Sequence, residues 1–473
     1  MKRFAILPLL ASFSTFGSTF QCESEFEWLK STFENNDAGF QYSVEQKGLD
    51  LYSAHNNATL TRIHSAKSEA QCLTVLRDWL TFFRNGHVGI ALNMNGSVEA
   101  VRGSVVHDFD LPAFKQYLKS QGDETLEGIW QFSSYRVALK QEGNVHKAYI
   151  VESANPSWKA GQVKFIVNDP KDNNTARVTF FMGDHSARQI DTMTLLGNNE
   201  VVLGNSFIVM SREEPRQESS PEIKRYVRLL STKAPIFEKI SENTVLVRIP
   251  AFDHAFKKDI DAVIAKHLDT ILNTENLIID IRGNGGGSDV SYASLLPILY
   301  TNPIRIVGME YLSTELNNSR MLGFLQNPHF SEEEKQWAKD GYDILKQHIG
   351  SYINIGEDVT VETFDKVEPL PKSIGVLVDS SNGSTAEQFL LAAKQSKKVK
   401  LFGQTTAGVL DISNMYQTDS PSGTFTLYYS LTKSLRIPHM AIDGVGIQPD
   451  YYIDGELPLY QWTSYTQKIL EGM

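Results

Sequence analysis

Cysteine is nearly absent: the chain has 2 among 473 residues. That is too few for a disulfide-stapled scaffold or a cysteine-rich zinc module. Basic runs are missing as well. No five Lys or Arg residues stand together, and 56 Asp plus Glu outnumber 45 Lys plus Arg, for a formal charge of -11. An acidic chain without a basic patch is not built to hold nucleic acid. Beyond the N-terminus no apolar run approaches the roughly 18 residues a membrane span requires. Internal repeats and low-complexity tracts are also lacking. What is left is an ordinary globular composition, 41% hydrophobic and 21% charged. At about 150 residues per domain, the length predicts two or three domains.

The N-terminus, MKRFAILPLLASFSTFGSTFQC, pairs Lys2 and Arg3 with an apolar stretch from Ala5 to Phe16 and small residues after it. This is the pattern of a secretory signal peptide, too short to cross a bilayer. Residues 1–21 are read as that peptide, with Thr15-Phe-Gly17 an acceptable cleavage motif. The expected protein is exported, periplasmic or secreted, in a bacterium, and free of the membrane after cleavage. In that setting Cys22 and Cys72 suggest one disulfide tying the mature N-terminus to the helix around Cys72; two free buried thiols are the alternative. Five N-x-[ST] sequons occur, at Asn57, Asn95, Asn173, Asn317 and Asn382.

The patterning changes along the chain. Residues 22–92 read as helical: Leu73, Leu76, Leu80 and Phe83 line one face of a helix expected to end at Asn85-Gly86. Residues 120–212 carry short β-branched and aromatic runs separated by turn residues, which predicts an inserted antiparallel β domain. Trp130 and Trp158 are expected to fill its core. The polar stretch Ser211–Glu222 reads as a linker. From 223 to 473 strands alternate with helices (TVLVRIPAF, FKKDIDAVIAKHLDTIL, NLIIDIRGNGGG, SIGVLVDSS, VKLFG), which argues for an α/β sheet with buried parallel strands. Residues 312–350 read as a helical insertion in this part.

Two stretches can carry chemistry. In LIIDIRGNGGGSD a buried strand runs into Gly283, Gly285, Gly286 and Gly287, where successive N–H groups can converge on an anion, or form a plain sharp turn. In VLVDSSNGSTAEQF a strand meets an Asn-Gly turn, Ser384 and then a helix. Ser384-Thr-Ala-Glu387 matches the S-x-x-E capping box. The same geometry can present a hydroxyl outward as a nucleophile. The two readings make opposite demands, because a cap turns inward to the N–H of Glu387 and a nucleophile needs a base. Among 11 His, His87 follows a helix end in RNGHVGIAL.

Taken together, these segments resemble the tail-specific, or C-terminal-processing, serine peptidases and their tricorn-core and interphotoreceptor retinoid-binding relatives. The resemblance is carried by FFRNGHVGI, LIIDIRGNGGG, Ser384-Thr-Ala-Glu387, LFGQTTAG and IDGVGIQPDYYI, in the family's order. It implies a crotonase/ClpP-like spiral-sheet core, a peptide or protein substrate and no cofactor or metal. It also implies a Ser384–His87–Asp443 arrangement, with the backbone N–H groups of Gly285 or Gly286 and Thr385 as the oxyanion hole. One branch of the family uses a lysine where this chain has Val409, so the base expected here is His87. No Gly-Leu-Gly-Phe-like loop marks a PDZ domain between His87 and Phe237. The alternative is a member that has lost catalysis and binds a ligand or peptide.

Overall fold

The computed structural model describes residues 22–93, 105–121, 125–172, 175–183, 185, 187–204, 208–328 and 330–473. The signal peptide expected at 1–21 and the sequons at Asn95 and Asn173 lie outside them. Four helices open the described chain, Cys22–Asn36, Phe40–Lys47, Leu49–Ile63 and Glu69–Thr81. Phe26, Leu29 and Phe33 of the first pack on Leu76, Trp79 and Phe83 in a dry cluster. The Cys22–Cys72 disulfide closes a sequence separation of 50 residues across this cluster.

The fourth helix stops at Thr81, several residues short of Asn85-Gly86. Arg84 is the reason. Its guanidinium pairs with Asp37 (2.5 Å) and donates to the carbonyls of Gly86 (3.1 Å) and His87 (2.9 Å). These bonds bind the carbonyls into a turn, and an α-helix has no use for them in that geometry. After the turn Gly89–Leu92 is a strand, so the stretch 22–92 is not helical throughout. The strand pairs antiparallel with Phe425–Ser434.

Nine antiparallel strands, from Gly128–Phe132 to Ile208–Glu214, form a barrel-like sheet. Trp130 and Trp158 are buried in its core, their indole N–H groups donating to the carbonyls of Leu126 and Gly183. The polar stretch 211–222 is regular at its two ends and irregular between them. Ser211–Glu214 continue the last strand, and Pro221 opens the helix Pro221–Ser231. Arg212 is tolerated inside because its guanidinium lies 4.4 Å from the Trp130 ring centre and donates to the carbonyls of Glu127 and Thr125.

The α/β part is built on a six-stranded sheet. Its spatial order is Ile236–Lys239, Thr244–Arg248, Asn276–Asp280, Ser373–Val378, Val399–Gly403 and Tyr451–Tyr452. The first pair is antiparallel and the remaining pairs are parallel. Val245, Val247, Leu277, Ile279 and Val376 are almost fully buried under the helices Lys257–Ile271 and Thr385–Ala393. Such unbroken apolar strands are what a sheet covered on both faces requires. A second sheet pairs Phe425–Ser434 with Gly89–Leu92, Met309–Leu312 and Ile412–Asp419. It carries the His87 segment to the Val409 turn, which follows the strand Val399–Gly403. The helices Glu315–Leu325 and Glu332–Leu345 occupy the stretch read as a helical insertion, and Ser331 and Glu334 form a true capping box there.

Candidate active site

Ser384 does not behave as a cap. Its backbone has φ 55° and ψ -127°, and its side chain accepts no hydrogen bond from the helix Thr385–Ala393. Glu387, the supposed capping partner, points elsewhere. It is fully buried, and it accepts from the Thr406 hydroxyl and from the N–H groups of Gly408 (2.8 Å) and Val409 (2.8 Å). Burial pushes its carboxyl up from the usual range, against these donors. The glutamate thus secures residues 406–409 behind the turn. The Val409 carbonyl in turn accepts the Ser384 N–H at 3.2 Å.

Buried polar contacts hold the turn and the glycine loop together. Asn382 is fully buried. It donates to the carbonyls of Ile281 (2.6 Å) and Asn284 (3.0 Å) and accepts from the Asp379 N–H (2.8 Å). Asp379 accepts from the N–H groups of Gly283 and Ser381. Gly286 has φ 110°, and a Cβ there would stand 2.8 Å from the Ser384 Cβ and 2.9 Å from the Thr385 nitrogen. Only glycine lets this loop lie against the serine. The sequons at Asn317 and Asn382 are therefore interior positions. Asn317 donates to the carbonyls of Asn36 and Leu312.

Of the three expected oxyanion donors, Gly286 is already engaged, since its N–H donates to the Asn284 side chain at 2.9 Å. Its part at the serine is steric. The N–H groups of Gly285 and Thr385 have no acceptor among the described residues.

His87 also has a left-handed backbone, φ 53°. Arg84 and the Ser430 hydroxyl (2.9 Å) both donate to its carbonyl. Such backbones cost roughly 1–3 kcal/mol and persist only where the surroundings impose them. The Nδ1 atom lies 2.7 Å from the Ile412 carbonyl oxygen. A carbonyl can only accept, so Nδ1 carries the proton and Nε2 is left as the acceptor. Burial lowers the His87 pKa below its ordinary value, opposed by the Ile412 bond and by the charge of Asp443.

Asp443 does not hydrogen-bond His87, as the sequence reading expected of the acid. It accepts from the N–H groups of Leu410 (2.6 Å), Asp411 (2.6 Å) and Ile412 (3.1 Å). Asp411 answers in kind. It is fully buried, pairs with Arg436 (2.7 Å), and accepts from the N–H groups of Ile442 and Asp443. Each aspartate thus fixes the other's loop, and together they set the Ile412 carbonyl that orients the imidazole. Burial pushes the Asp443 carboxyl up, while the amide bonds oppose that rise.

Val409 sits between the two turns. A Cβ on Gly86 would come within 2.3 Å of it, and one on Gly383 within 2.6 Å. His87 and Ser384 thus flank the same valine, and both line a cleft of about 680 Å³. No hydrogen bond joins their side chains. The far wall of the cleft is the insertion helices, through Arg320, Met321, Phe324 and Trp337. No group of three or more His, Cys, Asp or Glu among the described residues is arranged to hold a metal ion.

Sequence reasoning missed Asp37, Arg84, Asp411, Ile412 and Arg436. None belongs to a motif, and Asp37 pairs with Arg84 across 47 positions.

The fold is shared with solved structures. Mature CPAF complexed with lactacystin aligns over 95% of this chain and 97% of that one, with a TM-score of 0.53 at 13% identity. Mature CPAF alone aligns over 95% and 96%, also at 0.53 and 13%. Residues 243–453 match Peptidase family S41. Two curated relatives are similar in sequence. A Chlamydia trachomatis protein described only as "Protein" is 26% identical over 205 residues, covering 37% of this chain and 34% of its own length. An uncharacterized Chlamydia muridarum protein is 24% identical over 268 residues, covering 48% and 44%. The chain therefore spans less than half the length of each.

Proposed function

We propose that this protein is a serine peptidase in which Ser384 attacks a peptide carbonyl and His87 takes its proton. The observation that carries this reading is the uncapped, strained Ser384 facing a cleft it shares with a histidine whose Nε2 is free to accept. His87 Nε2 receives the Ser384 proton and passes it to the leaving amine. The developing oxyanion is met by the N–H groups of Gly285 and Thr385, at the positive end of the helix Thr385–Ala393. Asp443 acts as a positioning residue through Ile412 and lends its charge to the imidazolium. The parallel sheet and its second, antiparallel layer support a crotonase/ClpP-like spiral core. The disulfide supports export to an oxidising compartment, periplasmic or secreted.

A second reading, a ligand- or peptide-binding member without catalysis, draws on the absent Ser384–His87 hydrogen bond. Active-site hydrogen bonds of empty enzymes often tighten only when substrate binds. Fluorophosphonate labelling separates the two. Wild type is expected to label and Ser384→Ala to remain unlabelled, with peptide-library cleavage lost in parallel. Equal labelling of both proteins, or no labelling and no cleavage, would leave the binding reading in place.

A further inference from the structure

The described arginines that are buried or half-buried have acceptors, with one exception. Arg84 pairs with Asp37, Arg282 and Arg248 with Asp280, and Arg436 with Asp411. Arg212 donates to two carbonyls. Arg320, on the helix Glu315–Leu325, has neither a hydrogen bond nor an ion pair among the described residues. Its guanidinium lies 5.0 Å from the Phe324 ring centre. Burial lowers its pKa, and the groups that act on its charge are the phenols of Tyr311, Tyr416 and Tyr429, with no carboxylate among them. Two of these phenols are engaged elsewhere, Tyr416 with Ser319 (2.9 Å) and Tyr429 with Asn317 (3.0 Å).

A half-buried guanidinium without an acceptor gives up hydration that the protein does not replace. Arg320 lines the cleft that Ser384 and His87 line. The other charged groups of that cleft do not serve it. Glu334 accepts the Ser331 N–H at 2.7 Å, Asp289 makes no ion pair with Arg320, and Arg436 is held by Asp411. No acceptor for Arg320 is found among the described residues, and the cleft leaves room for one.

We propose that Arg320 is a specificity-determining residue that receives a carboxylate of the bound peptide. That carboxylate is either an Asp or Glu side chain or a C-terminal α-carboxylate. The guanidinium fork suits both, with two parallel N–H···O bonds and a positive charge strengthened by its apolar, aromatic surround. This rests on the cleft being the substrate site, and it deepens that reading by naming the chemistry the cleft selects.

The test measures binding without turnover, in Ser384→Ala protein, so that it does not depend on catalysis. The probes are a fluorescent N-acetylated hexapeptide library in three forms: neutral and amidated, one Glu per peptide and amidated, and neutral with a free C-terminal carboxylate. One or both carboxylate forms should bind roughly 10–100-fold more tightly than the neutral form. The preference should vanish in Ser384→Ala/Arg320→Gln and persist in part in Ser384→Ala/Arg320→Lys. The form that wins identifies the source of the carboxylate. Equal binding of all three forms overturns the proposal, and so does a preference that survives Arg320→Gln. Failure of fluorophosphonate labelling with an intact carboxylate preference would sink the peptidase reading and leave this one standing.

Discussion

Asp443→Asn tests whether the imidazole is oriented by a carboxylate or by a backbone carbonyl. In a directly coupled triad the same substitution lowers kcat by about 10⁴, because the amide forces the wrong tautomer on the histidine. Here His87 Nδ1 donates to Ile412 at 2.7 Å, and that carbonyl does not change with residue 443. An asparagine can keep one oxygen toward the N–H groups of Leu410 and Asp411. It must then set an NH2 against the N–H of Ile412. One charge-assisted bond is lost, worth roughly 1.5–3 kcal/mol. If that loss falls wholly on the transition state, the rate drops by roughly 10–150-fold. The negative charge that raises the His87 pKa is lost too, so the acidic limb of the pH profile should move to lower pH. Fluorophosphonate inactivation rates measured from pH 5 to 9 report both effects without a known substrate. A loss near 10⁴, or an acidic limb that stays put or moves up, would refute a backbone-oriented histidine.

Two further outcomes are expected. Because burial lowers the His87 pKa, wild-type inactivation should rise with a midpoint below about 6.5 and be flat at neutral pH. With the folded pKa below the unfolded one, the unfolded chain binds more protons between the two values. The contribution of His87 to stability is therefore full above about pH 6.5 and is lost as pH falls to the folded pKa; a midpoint above 7 contradicts this. Gly286→Ala places a Cβ 2.8 Å from that of Ser384. A displacement near 1 Å at the serine should slow labelling by roughly 10²-fold while circular dichroism is preserved; wild-type labelling rates would show that the loop does not constrain Ser384.

The sequence made the strand-then-glycine and strand-then-serine junctions legible, because buried apolar runs and glycines report on backbone alone. It made Ser384 ambiguous for a physical reason. The letters S-x-x-E describe a capping box at Ser331–Glu334, where the glutamate returns to its own helix start. At Ser384–Glu387 the same letters serve a different end, because a loop 19 to 22 positions away claims the glutamate. Asp443 was legible as a motif residue, yet its partners were not, since they are backbone amides that any sequence possesses. Arg84 ended its helix early through Asp37, a contact made by the fold and not by the local sequence. Arg320 carries no pattern at all; it is conspicuous only once the partners of the other buried arginines are known.

The burial of Asn317 and Asn382 bears on how this protein can be produced. Both sit in N-x-[ST] sequons, and both side-chain amides are used inside the folded chain. A eukaryotic secretory host attaches its sugar while the chain is still emerging, before either asparagine is sheltered. An oligosaccharide at Asn382 would stand where the contacts to Ile281 and Asn284 must form, so a chain modified there would never close its turn. Expression in such a host selects against the native state at the moment of synthesis, whereas a cytoplasm or periplasm without that machinery leaves folding to the sequence alone.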